Sequence, residues 1–332
     1  MRIALDAMGS DDRPAPDVAG AVLAARDFGD TILLVGDQVR IEAELKKHDT
    51  SGLSLEVIHA ADEIAMGESP SAVGKAKPQS SIHVGMRLVK DGQADGFVTA
   101  GNTGAAMVIA TLHTLRRIPG VKRPALSSII SFGNHQVIML DIGANADSRP
   151  EFLAQYAVMG DIYARKGLGL ENPRVAILSN GEEEGKGCEL VHEATTLFRS
   201  LPLNFIGNVE PKELMTGGAD VIVTDGFTGN IFIKTAEASL KLLSNLIRDE
   251  IKSNVLSMAG GALARPAFRR VFKKLDPGEI GGAPLLGVNG VVIIGHGSSD
   301  AWAIRNAIRQ ARVAAAGNVI ESIRAGLERV EV

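Results

Sequence analysis

Short apolar runs alternate with helix-length segments from one end of this chain to the other, and that alternation narrows the fold more than any other feature. The runs are RIALD (2–6), TILLVG (31–36), LSLEVI (53–58), DGFVTA (95–100), LSSIISF (126–132), QVIMLDIG (136–143), RVAILS (174–179), LNFIGN (203–208), DVIVTD (220–225) and GVVIIGHG (290–297). Several are apolar on both faces, as strands are when helices cover a parallel sheet on either side. Helical patterns fill most gaps, at 15–28, 71–91, 103–117, 150–167, 187–200, 229–254 and 299–328. This predicts an α/β protein: a three-layer α/β/α sandwich with a mostly parallel, Rossmann-like sheet. SSIIS and QVIML, joined across Gly133 and Asn134, read as an antiparallel hairpin. No repeat and no Pro/Gly/Ser-rich linker marks a boundary, so residues 1–332 are expected to form a single domain.

Composition removes several function classes. A net charge of −4 gives no whole-chain reason to expect a nucleic-acid partner. A single cysteine, Cys188, excludes an intrachain disulfide framework and fits a reducing, cytoplasmic setting. Asp6 interrupts the N-terminal apolar stretch too early for a signal peptide. No run reaches the roughly 18 apolar residues of a membrane span.

The chemistry is expected in the loops that follow strands, because ligands of open α/β sheets sit beyond the carboxyl ends of the strands. Five such loops combine glycine with Asn, Asp, Ser, Thr or His: GNTGA (101–105), DIGAN (141–145), NGEEEGKG (180–187), DGFTGN (225–230) and GHGSS (295–299). Together they predict a shared polar cleft. Several open a helix, whose free N–H groups and positive dipole end suit an anion. NGEEEGKG approaches a nucleotide phosphate loop but misses it. The glycine spacing is one residue short, and Gly187 stands where that loop needs Ser or Thr. Its three glutamates read as first-turn acids of the next helix. The dinucleotide fingerprint fails too, since AMGSD follows the first strand. The histidines show no metal-ligand spacing. No cofactor and no metal is expected.

Taken in order, DAMGSD (6–11), GNTGA, DIGAN, NGEEEGKG, TDGFTGN (224–230), GGAPLLGVNG (281–290) and GHGSS resemble the bacterial phosphate acyltransferases of the PlsX type over nearly the whole chain. Ser10 stands where the family usually has glycine. The resemblance implies a fold similar to phosphotransacetylases and isopropylmalate dehydrogenases. It implies transfer of an acyl group from acyl-acyl carrier protein to inorganic phosphate at the start of phospholipid synthesis. It also implies a homodimer lying against the inner face of the membrane, with a membrane glycerol-3-phosphate acyltransferase as the recipient of the acyl phosphate.

That reaction needs no protein nucleophile, because phosphate attacks the thioester itself. What it needs is an anion site, a thioester site and donors for the tetrahedral oxyanion. Lys186 and Asn230 are expected to bind phosphate or the oxyanion, Asp225 to orient phosphate, and His296 to protonate the leaving thiolate. Asn102 and Asn145 are expected to orient the acyl phosphate, with Thr103, Gly104, Gly229, Gly297 and Ser298 supplying further contacts. Cys188 reads as a packing residue. Residues 251–275 form a separate feature: six basic residues and no acid between Lys252 and Lys274. Arg265, Phe268, Arg269, Arg270, Phe272 and Lys273 are expected to alternate as a basic amphipathic helix, with Pro266 in its first turn and a flexible MAGGALA (258–264) before it. Such a helix suits an anionic membrane surface, the acidic carrier protein or the dimer partner. Rival readings are an acyl-CoA:phosphate acyltransferase of the phosphotransacetylase kind, a metal- and NAD-dependent dehydrogenase and a membrane-recruiting scaffold. The second lacks its clustered aspartates, and the third leaves the polar loops without a purpose.

Overall fold

The computed structural model describes residues 1–132 and 135–330. Its strands are β1 (Arg2–Asp6), β2 (Thr31–Gly36), β3 (Leu55–His59), β4 (Gly96–Thr99), β5 (Ala125–Phe132), β6 (His135–Leu140), β7 (Arg174–Leu178), β8 (Asn204–Val209), β9 (Val221–Val223), β10 (Ala283–Leu286) and β11 (Val292–Ile294). The helices are α1 (Ala15–Phe28), α2 (Gln38–Leu45), α3 (Pro70–Ala76), α4 (Ser81–Lys90), α5 (Thr103–Val108), α6 (Pro150–Gly167), α7 (Glu189–Ser200), α8 (Pro211–Thr216), α9 (Gly226–Lys252), α10 (Val255–Leu275), α11 (Ala301–Ala316) and α12 (Val319–Glu328). No described helix is long and apolar enough to cross a membrane.

Local chemistry sets many of these boundaries. The single helix expected at 71–91 is two, because Pro78 cannot continue α3 and Ser80 caps α4 by accepting the His83 N–H. The segment expected at 299–328 also divides, at Gly317 and at Asn318, whose backbone is left-handed. Asp37 caps α2, a helix the apolar pattern alone does not announce.

The strands form one sheet in the order β3-β2-β1-β4-β11-β10-β5-β6-β9-β7-β8. The pairings around β1, β2, β3, β4 and β11 are parallel, as are those joining β6, β9, β7 and β8. Between these halves, β10 and β5 pair antiparallel with their neighbours, and β5 pairs antiparallel with β6 from Ser127↔Leu140 to Phe132↔His135. The hairpin expected there is present as a strand pair, while its link at Gly133 and Asn134 lies outside the described residues. The odd number of antiparallel steps reverses the second parallel half relative to the first.

The two faces of the sheet are covered differently. On one, α1, α11, α6, α12 and α7 bury a single continuous core that includes Leu5, Ile308, Tyr156, Ile323 and Phe198. On the other, α4 and α5 cover the first half through Met86, Phe97 and Ala106, and α8 and α9 cover the second through Leu214, Ile222 and Phe232. Among the described residues, Ile142 alone packs against both of these smaller clusters. The sheet is therefore bridged on one face and creviced on the other, with Ile142 where the two coverings meet.

Candidate active site

The polar loops leave the sheet as two walls. Because β4 and β11 run opposite to β6, β7 and β9, the five loops expected to share one polar cleft leave the sheet as two groups with β10 and β5 between them. Among the described residues, no hydrogen bond joins one group to the other.

The first wall is built on Asp6 at the end of β1. Its carboxylate accepts from the Thr99 hydroxyl at 2.7 Å and the Met8 N–H at 3.0 Å. Burial pushes that carboxyl above its usual range against the pull of these donors. The Asp11 N–H donates to the Gly297 carbonyl, tying this loop to the one after β11. Gly9 is needed because a Cβ there would lie 2.8 Å from the Gly101 nitrogen. Asn102, expected to touch substrate, is instead fully engaged within the protein. Its Oδ1 caps α5 by accepting the Ala105 N–H, and its Nδ2 donates to the carbonyls of Ala65, Met66 and Glu68. Gly104 faces Pro70, and Thr103 is exposed beside it. His296 is exposed and its Nδ1 accepts the Ser298 N–H at 3.2 Å. A backbone N–H can only donate, so the neutral ring carries its proton on Nε2. His296, Gly297 and Ser298 thus belong to this wall, while Lys186, Asn230 and Asp225 belong to the other. The proposed catalytic quartet is divided because β11 points the opposite way to β7 and β9.

The second wall is organised by Asp141, fully buried after β6. It accepts from the N–H groups of Leu126, Gly143, Ala144 and Asn145 and from the Asn145 side chain. These five donors favour the carboxylate, while burial pushes the group upward. Asn145 is a second correction. Its Nδ2 is shared among the Pro124 carbonyl, Asp141 and the Tyr156 hydroxyl, so that nitrogen braces the protein and is not free for a ligand. Asp225 is a third: both of its oxygens go to Thr228, one from N–H and one from O–H, capping α9. Gly229 must be glycine because a Cβ would sit 2.0 Å from the Asp141 carbonyl oxygen. That close approach lets Asn230 donate from Nδ2 to the carbonyl of Ile142, at the base of the crevice.

The loop between β7 and α7 closes on itself. Asn180 Oδ1 accepts the Gly187 N–H, and Asn208 holds the carbonyls of Glu183 and Lys186. Its glutamates are not first-turn acids, because α7 begins only at Glu189. Glu182 pairs with Lys212 and Glu184 with Arg199, which draws both away from Lys186. Lys186 is exposed and has no ion-pair partner among the described residues. Cys188, expected to pack, is exposed at the N-cap of α7.

Beside this loop opens a cavity of about 1060 Å³. Ser179, Asn180, Thr224 and Asp225 line one part of it, and Leu190, Val191, Met215, Ile231 and Phe232 line much of the rest. Small-molecule sites span roughly 300–1,000 Å³, so this one accommodates a large apolar group. Sequence reading missed it. Its α9 wall is signalled only by Thr228, Thr235 and Ser239 at helical spacing.

The residues 251–275 are helical almost throughout. Asn254 caps α10 by accepting the Ser257 N–H, so MAGGALA is helix rather than a flexible lead, and Pro266 lies inside α10 instead of in its first turn. No residue of α10 is buried. Arg265, Arg269, Arg270 and Lys273 are exposed, with Phe272 exposed and Phe268 half-buried.

Comparison with known proteins gives this architecture its class. The chain matches the family described as "Fatty acid synthesis protein" over residues 1–322. It is 48% identical to the phosphate acyltransferase of Acidobacterium capsulatum, covering 97% of this chain and 96% of that one. It is 49% identical to that of Heliobacterium modesticaldum, over the same shares. Among solved structures it is similar to a phosphotransacetylase from Streptococcus pyogenes, with TM-score 0.62 and 18% identity over 97% of this chain and 94% of that one. A branched-chain phosphotransacylase from Enterococcus faecalis V583 gives TM-score 0.60 at 15% identity, over 95% and 99%. The structural likeness establishes the shared fold; the sequence matches define an acyltransferase. The chain belongs to the family of bacterial phosphate acyltransferases.

Proposed function

We propose that this protein transfers a fatty acyl group from acyl-acyl carrier protein to inorganic phosphate, and that the acyl chain occupies the cavity beside α9. The observation that carries this reading is the pairing of that large apolar cavity with a loop holding an unpaired lysine. A phosphate oxygen attacks the thioester carbonyl, and the carbonyl oxygen becomes an oxyanion. The carbon–sulfur bond then breaks, leaving acyl phosphate and a thiolate. Lys186 and Asn230 are the groups assigned to phosphate and oxyanion; Lys186 supplies positive charge, and the second Asn230 N–H supplies a donor fixed by its bond to Ile142. Asp225 caps the start of α9, and Asn145 braces the loop beside it, so both act on the frame that carries Asn230. The leaving thiol has an ordinary pKa near 8.5, so protonation assists departure without being indispensable.

The exposed face of α10 supports contact with an acidic partner or surface. We assign it to an anionic membrane, with each basic residue contributing about 1 kcal/mol near such a surface. The same reading makes the protein a homodimer that delivers acyl phosphate to a membrane acyltransferase acting on glycerol 3-phosphate.

Thioester loss from palmitoyl-acyl carrier protein, with and without inorganic phosphate and with no added metal or nucleotide, tests the reaction. Palmitoyl-CoA is run in parallel. Loss that depends on phosphate and prefers the carrier protein is expected. Preference for the coenzyme A thioester would reassign the donor, and phosphate-independent loss would overturn the reading.

A further inference from the structure

The cavity beside α9 has a far end, and two leucines form it. Along α9 its wall runs from Asp225 and Thr228 through Ile231 and Thr235 to Leu240. At 1.5 Å per residue this spans about 22 Å. Two opposed chains fill a hydrocarbon layer of about 30 Å, so one chain occupies about 15 Å of depth. An extended chain is longer than that mean depth, so the wall is of the same order as one ordinary lipid chain, and what stands at its end decides how long a chain it takes.

Leu240 and Leu275 both line this cavity, and both also line a second space of about 700 Å³ between α9 and α10. That second space continues past Ile247, Phe268 and Phe272 into a third of about 450 Å³, which those three residues also line. The two leucines are therefore the shared boundary between the cavity beside α9, whose rim includes the exposed Met215 and Ile231, and a groove along the helical hairpin. An acyl chain is the occupant that fits the inner cavity. Its floor includes Leu153, Ile177 and Thr224, all buried at the depth of the sheet, where a narrow flexible chain fits better than a helix. Its opposite end meets the loop of Asn180 and Gly187, where the proposed reaction places the thioester carbonyl.

We infer that Leu240 and Leu275 determine the acyl-chain length this enzyme accepts, by closing the far end of the cavity against the groove between α9 and α10. This rests on the proposed reading of the cavity as the acyl site. Leu240 is partly exposed and Leu275 half-buried at the end of α10, so neither is part of the main core.

The test compares kcat/KM for hexadecanoyl- and octanoyl-acyl carrier protein, at saturating phosphate, in the parent chain and in two variants. Leu240→Trp is expected to lower the hexadecanoyl-to-octanoyl ratio roughly tenfold, the scale of expelling one or two methylenes from an apolar site. Leu275→Ala is expected to move the ratio the other way and to extend turnover to longer donors. A ratio unchanged in both variants, with phosphate-dependent turnover intact or lowered equally for both donors, would overturn the inference and leave the reaction standing. Absence of phosphate-dependent thioester loss in the parent chain would overturn the proposed reaction itself, and this inference with it.

Discussion

Lys186 is distinguished by the interactions it does not make. Neighbouring glutamates Glu182 and Glu184 are drawn off by Lys212 and Arg199, so its ammonium is exposed without an ion-pair partner among the described residues. A surface group of this kind adds little to folding, and Lys186→Ala is expected to change stability by less than about 0.5 kcal/mol. If it holds phosphate or the oxyanion, the same change lowers kcat by roughly 10²-fold. Steady-state kinetics alongside thermal unfolding checks both, and unchanged kcat removes Lys186 from the mechanism. The asparagines carry the contrasting lesson. Asn102, Asn145 and Asn230 look alike in sequence, each in a glycine-rich loop after a strand. Four engaged positions make Asn102 a clasp, three acceptors make Asn145 a brace, and only Asn230 keeps a donor in reserve. Sequence names the residue types; the partners that consume them come from residues up to 88 positions away.

At the scale of elements, strands and helices with strong apolar periodicity were readable, and α1 and α6 fall where the pattern puts them. Proline was the unreliable punctuation. Pro78 ends a helix because Ser80 is ready to cap another, whereas nothing near Pro266 caps a new start and the cap lies upstream at Asn254. The resulting α10 packs one side toward α9, close enough that a Cβ on Gly261 would lie 2.4 Å from Ile251. Its other side is bare, with Leu256 and Leu263 exposed by 85% and 86%. Membrane contact through this helix predicts that Phe272→Glu abolishes co-flotation with vesicles rich in phosphatidylglycerol, by adding charge repulsion to lost apolar insertion. Flotation equal to the parent would return α10 to a protein partner.

At the scale of the whole molecule, the reversal between the parallel halves was not legible, because it depends on β10, a four-residue strand containing proline that joins its neighbour β11 to the distant β5. Nor was Asp17, which lies on the apolar face of α1 with Ser10 donating to it at 2.5 Å. Burial, reinforced by the negative charge of Asp6, pushes its carboxyl up to about 7. The folded protein therefore holds a proton that the unfolded chain has released above its ordinary value of 3.8. Stability from this group is full below that value, declines as pH rises and is lost by about pH 7, at no more than about 1.4 kcal/mol per pH unit. Asp17→Asn is expected to flatten that part of the curve, as measured by urea midpoints between pH 5 and 8; an unaltered slope would assign it to other groups. The sheet order has a further consequence for how the protein is made. β4 and β5 follow one another in the chain, yet β11 and β10 lie between them in the sheet. A ribosome releasing roughly 5–20 residues per second completes most of both halves before it supplies the strands that join them. Until residues 283–294 emerge, β4 and β5 each lack the strand that pairs with them on one side in the finished sheet, and such unpaired edges are where wrong strand pairing starts.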